Sequence, residues 1–100
     1  MEMNNIADNA RQAANLLKLI GNEVRLMILC SLIENKLTVG QINERIDISQ
    51  SALSQHLAKL RSDNLVDCEK DGLSVYYHIA NPVVIKIIHI LQDEFCPSEE

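Results

Sequence analysis

Three cysteines, three histidines and one run of hydroxyl and amide side chains are where chemistry could reside in these 100 residues. Cys30 lies inside "LMILCSLI", where a free cysteine ordinarily serves as a small buried hydrophobe. Cys96 differs: it follows Phe95, precedes Pro97 and closes an apolar run beside Asp93, Glu94, Glu99 and Glu100, so it is expected to be reachable. A helix C-terminus and its acids do not favour a thiolate there. That weighs against peroxide, which needs the thiolate, more than against a persulfide, which is a good electrophile with a good leaving group. Cys68 alternates with Val66 and is read as packing. With no CxxC spacing, the cysteines do not suggest a secreted disulfide framework, and a reduced, cytoplasmic setting is expected. His78 and His89 fall on different elements, so no metal site is expected from them.

The polar run is "ISQSALSQHLAKLRSDNLV", Ile48 to Val66. Ala52, Leu53, Leu57 and Leu60 recur at helical spacing and predict one buried stripe. The opposite face carries Gln50, Ser51, Ser54, Gln55 and Ala58, where a merely solvated helix would use Glu and Lys. Short hydroxyls and amides let a helix backbone approach a DNA groove. Gln can pair with adenine, and Ser can contact either base type or phosphate. Lys59 and Arg61 at the far end suit phosphates. His56 is read first as a packing or backbone-bonding residue and second as a base reader. Thr38 and Lys70 complete the candidate DNA-binding set, although Lys70 sits among acids in "EKDG". A solvated or protein-binding helix is the plainer alternative.

The elements that must position these residues follow in order. Residues 7–20 predict a helix with Ala10, Ala13, Ala14, Leu17 and Ile20 on one side, ended by Gly21. Asn22 caps a second, central helix, "EVRLMILCSLIE". Thr38 with Gln41 forms a capping box opening a short helix through Ile46. Ser49 caps the polar helix, which stops near Asn64. "LVDCEK" and "LSVYYHIA", separated by Asp71-Gly72, predict a hairpin. Asn81 and Pro82 start a last helix, "PVVIKIIHILQDEF", apolar nearly all round. Such a helix needs cover on two sides, which a two-fold partner supplies. The interface is expected from Ala10, Ala14 and Leu17 against Val84, Ile88 and Leu91. Helix, helix, helix, helix, hairpin, helix describes a mainly α, winged helix-turn-helix homodimer joined through its first and last helices.

Composition sets the bounds. One hundred residues suit a single domain spanning 1–100. Aromatics are 3% of the chain, so the core must be aliphatic. No apolar run reaches the ~18 residues of a membrane span, and the polar, acidic "MEMNNIADNARQ" is unlike a signal peptide. The net charge of −5 opposes nucleic acid by itself. Between Lys36 and Arg61, however, Lys36, Arg45, Lys59 and Arg61 face only Glu44 and Asp47, and the acid concentrates elsewhere. Enzyme readings lack a nucleophile–base set, a phosphate loop or paired carboxylates.

"NEVRLMILCSL", "SQSALSQHLAKLR" and "GLSVYYHI", in that order, resemble the ArsR/SmtB family of dimeric winged-helix regulators. "ILC" with a late "FCP" is similar to its thiol-sensing branch, which includes HlyU, BigR and SqrR. The resemblance implies a homodimer on an imperfect inverted repeat, no obligatory metal or cofactor, and Cys30 and Cys96 as a pair of sensing thiols whose modification lowers DNA affinity. It also implies links to virulence genes in some members. Metal-sensing members place cysteines where this chain has Thr38 and Gly40, or Asp, His and Glu where it has Asn81, Val83, Glu94 and Pro97. A metal-responsive repressor and a winged-helix protein-interaction module stay open as alternatives. Zinc titration and a gel shift on the upstream region separate them.

Overall fold

A computed structural model describes residues 5–96. Its elements are α1 (Ile6–Ile20), α2 (Glu23–Leu32), α3 (Val39–Arg45), α4 (Gln50–Ser62), β1 (Val66–Asp71), β2 (Ser74–Ile79) and α5 (Pro82–Phe95). This is the expected order. Pro97, Glu99 and Glu100, named above, lie outside the described residues.

Local chemistry sets most boundaries. Asn22, Ser49 and Asn81 each accept a backbone N–H at a helix start, from Arg25, Ala52 and Val83. The capping box on α3 is complete: Gln41 N–H donates to Thr38 Oγ1 at 3.1 Å, and Thr38 N–H to Gln41 Oε1 at 2.9 Å. Gly21 ends α1 at φ −81°, outside the left-handed region that glycine often supplies at helix ends. Its reason is close approach instead, since a Cβ at this position would lie 2.8 Å from the Leu17 carbonyl oxygen. α2 stops at Leu32, short of the expected Glu34. α4 ends in a Schellman arrangement around Asn64, whose φ is 65°. Leu65 N–H reaches Leu60 O at 2.9 Å and Asn64 N–H reaches Arg61 O at 3.0 Å.

The hairpin is shifted from the expected turn. Asp71 pairs with Ser74, so Gly72 and Leu73 make the bend. Gly72 has φ 68°, and Asp71 is not among the residues at positive φ. A single glycine at the first turn position satisfies the strand twist without a second left-handed residue. β2 gains a further neighbour: Leu37 N–H donates to Tyr77 O at 3.0 Å and Tyr77 N–H to Leu37 O at 2.7 Å. The wing is thereby tied to the chain just before α3.

The core is aliphatic, and among the described residues no polar or charged one is buried. α2 runs through its middle, contributing Ile28, Leu29 and Leu32 against Ile42, Leu53, Leu57, Leu60 and Leu65. Val84 and Ile88 of α5 are 0% exposed and belong to this same core. That corrects their expected place at a dimer interface. A side chain fully enclosed by its own protomer has no surface left to offer a partner. Leu91 is partly buried against the core as well. The exposed apolar residues of α5 are Val83, Ile90 and Phe95, and on α1 Ala10, Ala14 and Leu17 are exposed. No described helix is long and apolar enough to cross a membrane.

Candidate nucleic-acid interface and thiol cleft

α3 and α4 meet through a turn held by one side chain. Asn43 Nδ2 donates to Ile46 O at 3.3 Å and to Ile48 O at 2.9 Å, satisfying carbonyls that the tight "DI" turn leaves without helical partners. Leu53, Leu57 and Leu60 anchor α4 in the core. The other face presents Gln50, Ser51, Ser54, Gln55, Ala58 and Lys59 to solvent, so the polar run is displayed as one surface. Ser51 lies 3.3 Å, oxygen to oxygen, from the capping Ser49. Thr38 stands at the start of α3 with its hydroxyl oxygen engaged by the capping box.

His56 is half-buried and bonded toward α2, the packing arrangement read first for it from the sequence. Its Nδ1 accepts from Arg25 Nε at 3.3 Å, placing the ring proton of the neutral imidazole on Nε2. Arg25 Nη1 also donates to Leu19 O at 3.2 Å. One guanidinium therefore joins the end of α1, the start of α2 and the middle of α4. Sequence reasoning missed this connection, because an Arg near the start of an amphipathic helix reads as a solvated residue.

The cations are less available than their positions suggest. Lys59 pairs with Asp63 at 3.1 Å and Arg61 with Asp67 at 3.3 Å. Lys36 bonds Glu69 at 3.0 Å, lies 3.9 Å from Asp71, and sits 5.2 Å above the Tyr76 ring. Its hydrogen bond to Glu69, with that carboxylate's charge, holds its pKa above the ordinary lysine value. These pairs are solvent-exposed and individually weak, so phosphate can compete for the same cations. Among the described residues Arg45 and Lys70 form no ion pair.

The second site lies on the other side of α2. Cys30 and Cys96, far apart in sequence, line one cavity of about 240 Å³ with Leu26, Leu91, Gln92 and Phe95. Cys30 is half-buried and Cys96 exposed, and both are free thiols. Burial pushes the Cys30 thiol above its ordinary pKa, and the nearby Cys96 charge adds to the effect. Cys68 is half-buried on β1, opposite Tyr77, and is not part of the lining. Among the described residues no three His, Cys, Asp or Glu side chains gather where a metal could be held. His78 Nδ1 is buried without a hydrogen-bond partner, and His89 is exposed.

Comparison with known proteins converges on one family. The model of the family "Bacterial regulatory protein, arsR family" matches residues 22–67, from the cap of α2 into β1. The chain is 41% identical over 100 residues to the transcriptional activator HlyU of Vibrio cholerae serotype O1, covering 100% of this chain and 93% of that protein. It is 31% identical to the biofilm growth-associated repressor of Xylella fastidiosa, covering 100% of this chain and 88% of that one. The solved structure of reduced HlyU from Vibrio cholerae superposes with a TM-score of 0.88 at 42% identity, over 94% of this chain and 99% of that one. The chain belongs to the arsR family of bacterial transcriptional regulators.

Proposed function

We propose that this chain is a sequence-specific repressor or antirepressor that binds an imperfect inverted repeat as a homodimer and releases it when Cys30 and Cys96 are modified by reactive sulfur species. The observation that carries the sensing half is the single cavity lined by both thiols. The DNA half rests on the family and on the exposed Ser/Gln face of α4. Each protomer reads one half-site, with Gln50, Ser51, Ser54 and Gln55 toward bases and Lys59, Arg61 and Lys70 toward phosphates. Dimer contacts come from α1 through Ala10, Ala14 and Leu17, and from α5 through Val83 and Ile90.

The exposed Cys96 reacts first. Its thiolate attacks the outer sulfur of an organic persulfide, the parent thiol leaves with the proton, and Cys96 carries a persulfide. Cys30 then attacks it. Attack at the inner sulfur expels hydrogen sulfide and leaves a disulfide. If a second persulfide first lengthens the chain, the product is a trisulfide, for two persulfides consumed and two thiols and one hydrogen sulfide released. A disulfide needs Cα atoms within ~7 Å, whereas a polysulfide tolerates a wider gap. Either link clamps α2 to the end of α5. Because α2 holds α4 through Arg25 and His56, the clamp shifts the spacing of the two reading heads.

An organic persulfide should therefore give an intramolecular cross-link, a trisulfide with added sulfur by mass or a disulfide without it, together with weaker operator binding in a gel shift. Cys30→Ser and Cys96→Ser should each bind DNA when reduced yet lose that response, whereas Cys68→Ser should behave as the parent. Release of DNA by persulfide-treated Cys30→Ser would overturn the paired-thiol mechanism.

A further inference from the structure

We infer that the cleft between α1 and the end of α4 seats a backbone phosphate of the bound DNA, held by Lys18, Arg25 and Lys59. The inference rests on the proposed DNA reading and adds a contact beyond the polar face of α4. Asn15, Lys18, Leu19, Arg25, Lys59 and Asp63 line this cleft, whose volume is about 410 Å³. Three cations therefore share it with one carboxylate. In a chain of net charge −5, this local excess of positive charge attracts an anion.

Arg25 carries the argument. It is half-buried, and both of its side-chain bonds go to neutral acceptors: Nε to His56 Nδ1 at 3.3 Å and Nη1 to Leu19 O at 3.2 Å. Among the described residues it has no carboxylate partner, and its Nη2 donates to no protein atom. A charge withdrawn from water is ordinarily paired. A guanidinium with unspent donors matches the oxygens of a phosphate. Lys18, exposed on α1, likewise forms no ion pair among the described residues. Lys59 has Asp63 at 3.1 Å, in an exposed pair weak enough for phosphate to displace.

The position of the cleft favours DNA over a free anion. At about 100° per residue along α4, Lys59 falls between the outward Gln55 and the inward His56, so the cleft borders the polar face. A strand edging the groove that α4 enters runs beside it. On α1, Asn15 and Leu19 lie on the side away from Ala10, Ala14 and Leu17, so the cleft faces away from the proposed dimer contact. Because the same guanidinium holds His56, a phosphate on Arg25 also steadies the reading helix.

The test compares the reduced parent with Lys18→Ala on an operator duplex from its own upstream region and on a random-sequence duplex, by fluorescence anisotropy over a salt series. Arg25 is left intact, because its bonds to His56 and Leu19 join three helices. Arg11→Ala is the charge control: it removes the same charge about two turns away on α1, at a residue paired with Asp8 outside the cleft. Lys18→Ala should bind both duplexes more weakly, and its slope of log affinity against log salt should flatten by about 0.9 per protomer. Arg11→Ala should keep the parental slope. In an operator scanned with single methylphosphonates, one neutralised phosphate in each half-site should weaken the parent without weakening Lys18→Ala further. At every other phosphate the two proteins should lose alike. A parental slope in Lys18→Ala, or additive losses at every phosphate, would overturn the seat even if α4 still reads the operator. If that parental slope came with a melting temperature that inorganic phosphate raises in the parent and not in Lys18→Ala, the cleft would belong to a free anion instead. A parent that binds neither duplex would overturn the DNA reading and the seat with it.

Discussion

α4 and α5 are helices of 13 and 14 residues that share a core and treat their outer faces in opposite ways. α4 buries Leu53, Leu57 and Leu60 and turns serines, glutamines and a lysine outward. α5 buries Val84 and Ile88 and turns Val83, Ile90 and Phe95 outward, with Ile90 66% exposed. Anchoring is the same in both; what differs is the partner each outer face can accept. A hydroxyl-and-amide surface loses little by meeting a hydrated polar groove and can hydrogen-bond there. An aliphatic stripe gains only by leaving water. Leu17 of α1, 58% exposed, offers a surface of the same kind. The contrast supports the proposal that α4 meets nucleic acid and that α1 and α5 meet a second copy of the chain.

The largest expected effects come from placing the same charge on the two sides of α5. Ile88→Glu puts a carboxyl into a site with no exposure. The cost is on the order of 4–5 kcal/mol or more, comparable to the whole stability of a small domain. The chain should be unfolded or aggregated at 25 °C by circular dichroism. Ile90→Glu should keep its helical signal and melt within a few degrees of the parent, yet sediment as a monomer and lose operator binding. A folded, dimeric, DNA-binding Ile90→Glu would remove the outer face of α5 from the interface and break the comparison.

These two isoleucines also show where sequence reading stops. A helix that is apolar nearly all round announces that it needs cover on two sides, but not which stripe meets its own core. The caps Asn22, Thr38, Ser49 and Asn81 were legible because capping is a contact between residues a few positions apart. The Ser/Gln face was legible because helical period alone separates it from the leucines. The Leu37–Tyr77 pairing and the Arg25–His56 bond were not, since each joins residues far apart that look ordinary in their own segments. Pairing of Cys30 with Cys96 was available only through resemblance to a family. Nothing local in "LMILCSLI" points to "FCP", and only the fold places both thiols on one cavity.

Changes on α4 should be smaller and more discriminating. Gln55→Ala removes an exposed amide that touches nothing in the core. It should weaken binding to the cognate operator by ~1–3 kcal/mol while leaving random DNA nearly unaffected. Lys59→Ala should weaken both alike and reduce the salt dependence by about one phosphate contact. The loss is tempered because Lys59 must first part from Asp63, 3.1 Å away. Fluorescence anisotropy on both DNAs over a salt series checks the pair. Equal losses on specific and random DNA for Gln55→Ala would take it out of base reading and reduce α4 to a phosphate-binding face.

The smallest expected effect concerns the two thiols themselves. Burial raises the pKa of Cys30, and the charge on Cys96 raises it further. The folded chain thus favours the neutral Cys30 thiol. Its alkylation should climb with pH to an inflection above that of an ordinary cysteine, and the stability this group contributes should fall as pH rises through the same window. Cys96→Ser removes the second cause and leaves the first. The Cys30 inflection should then move down, but not back to the ordinary value, because burial remains. The parent and variant profiles should separate in the pH window of the Cys30 inflection. Rates of iodoacetamide labelling at Cys30, resolved by peptide mass, measure this directly. Superimposable profiles throughout would mean that the two thiols do not feel each other across the cleft in solution, and the contrast between an apolar, thiol-lined α5 and a polar α4 would lose its chemical half.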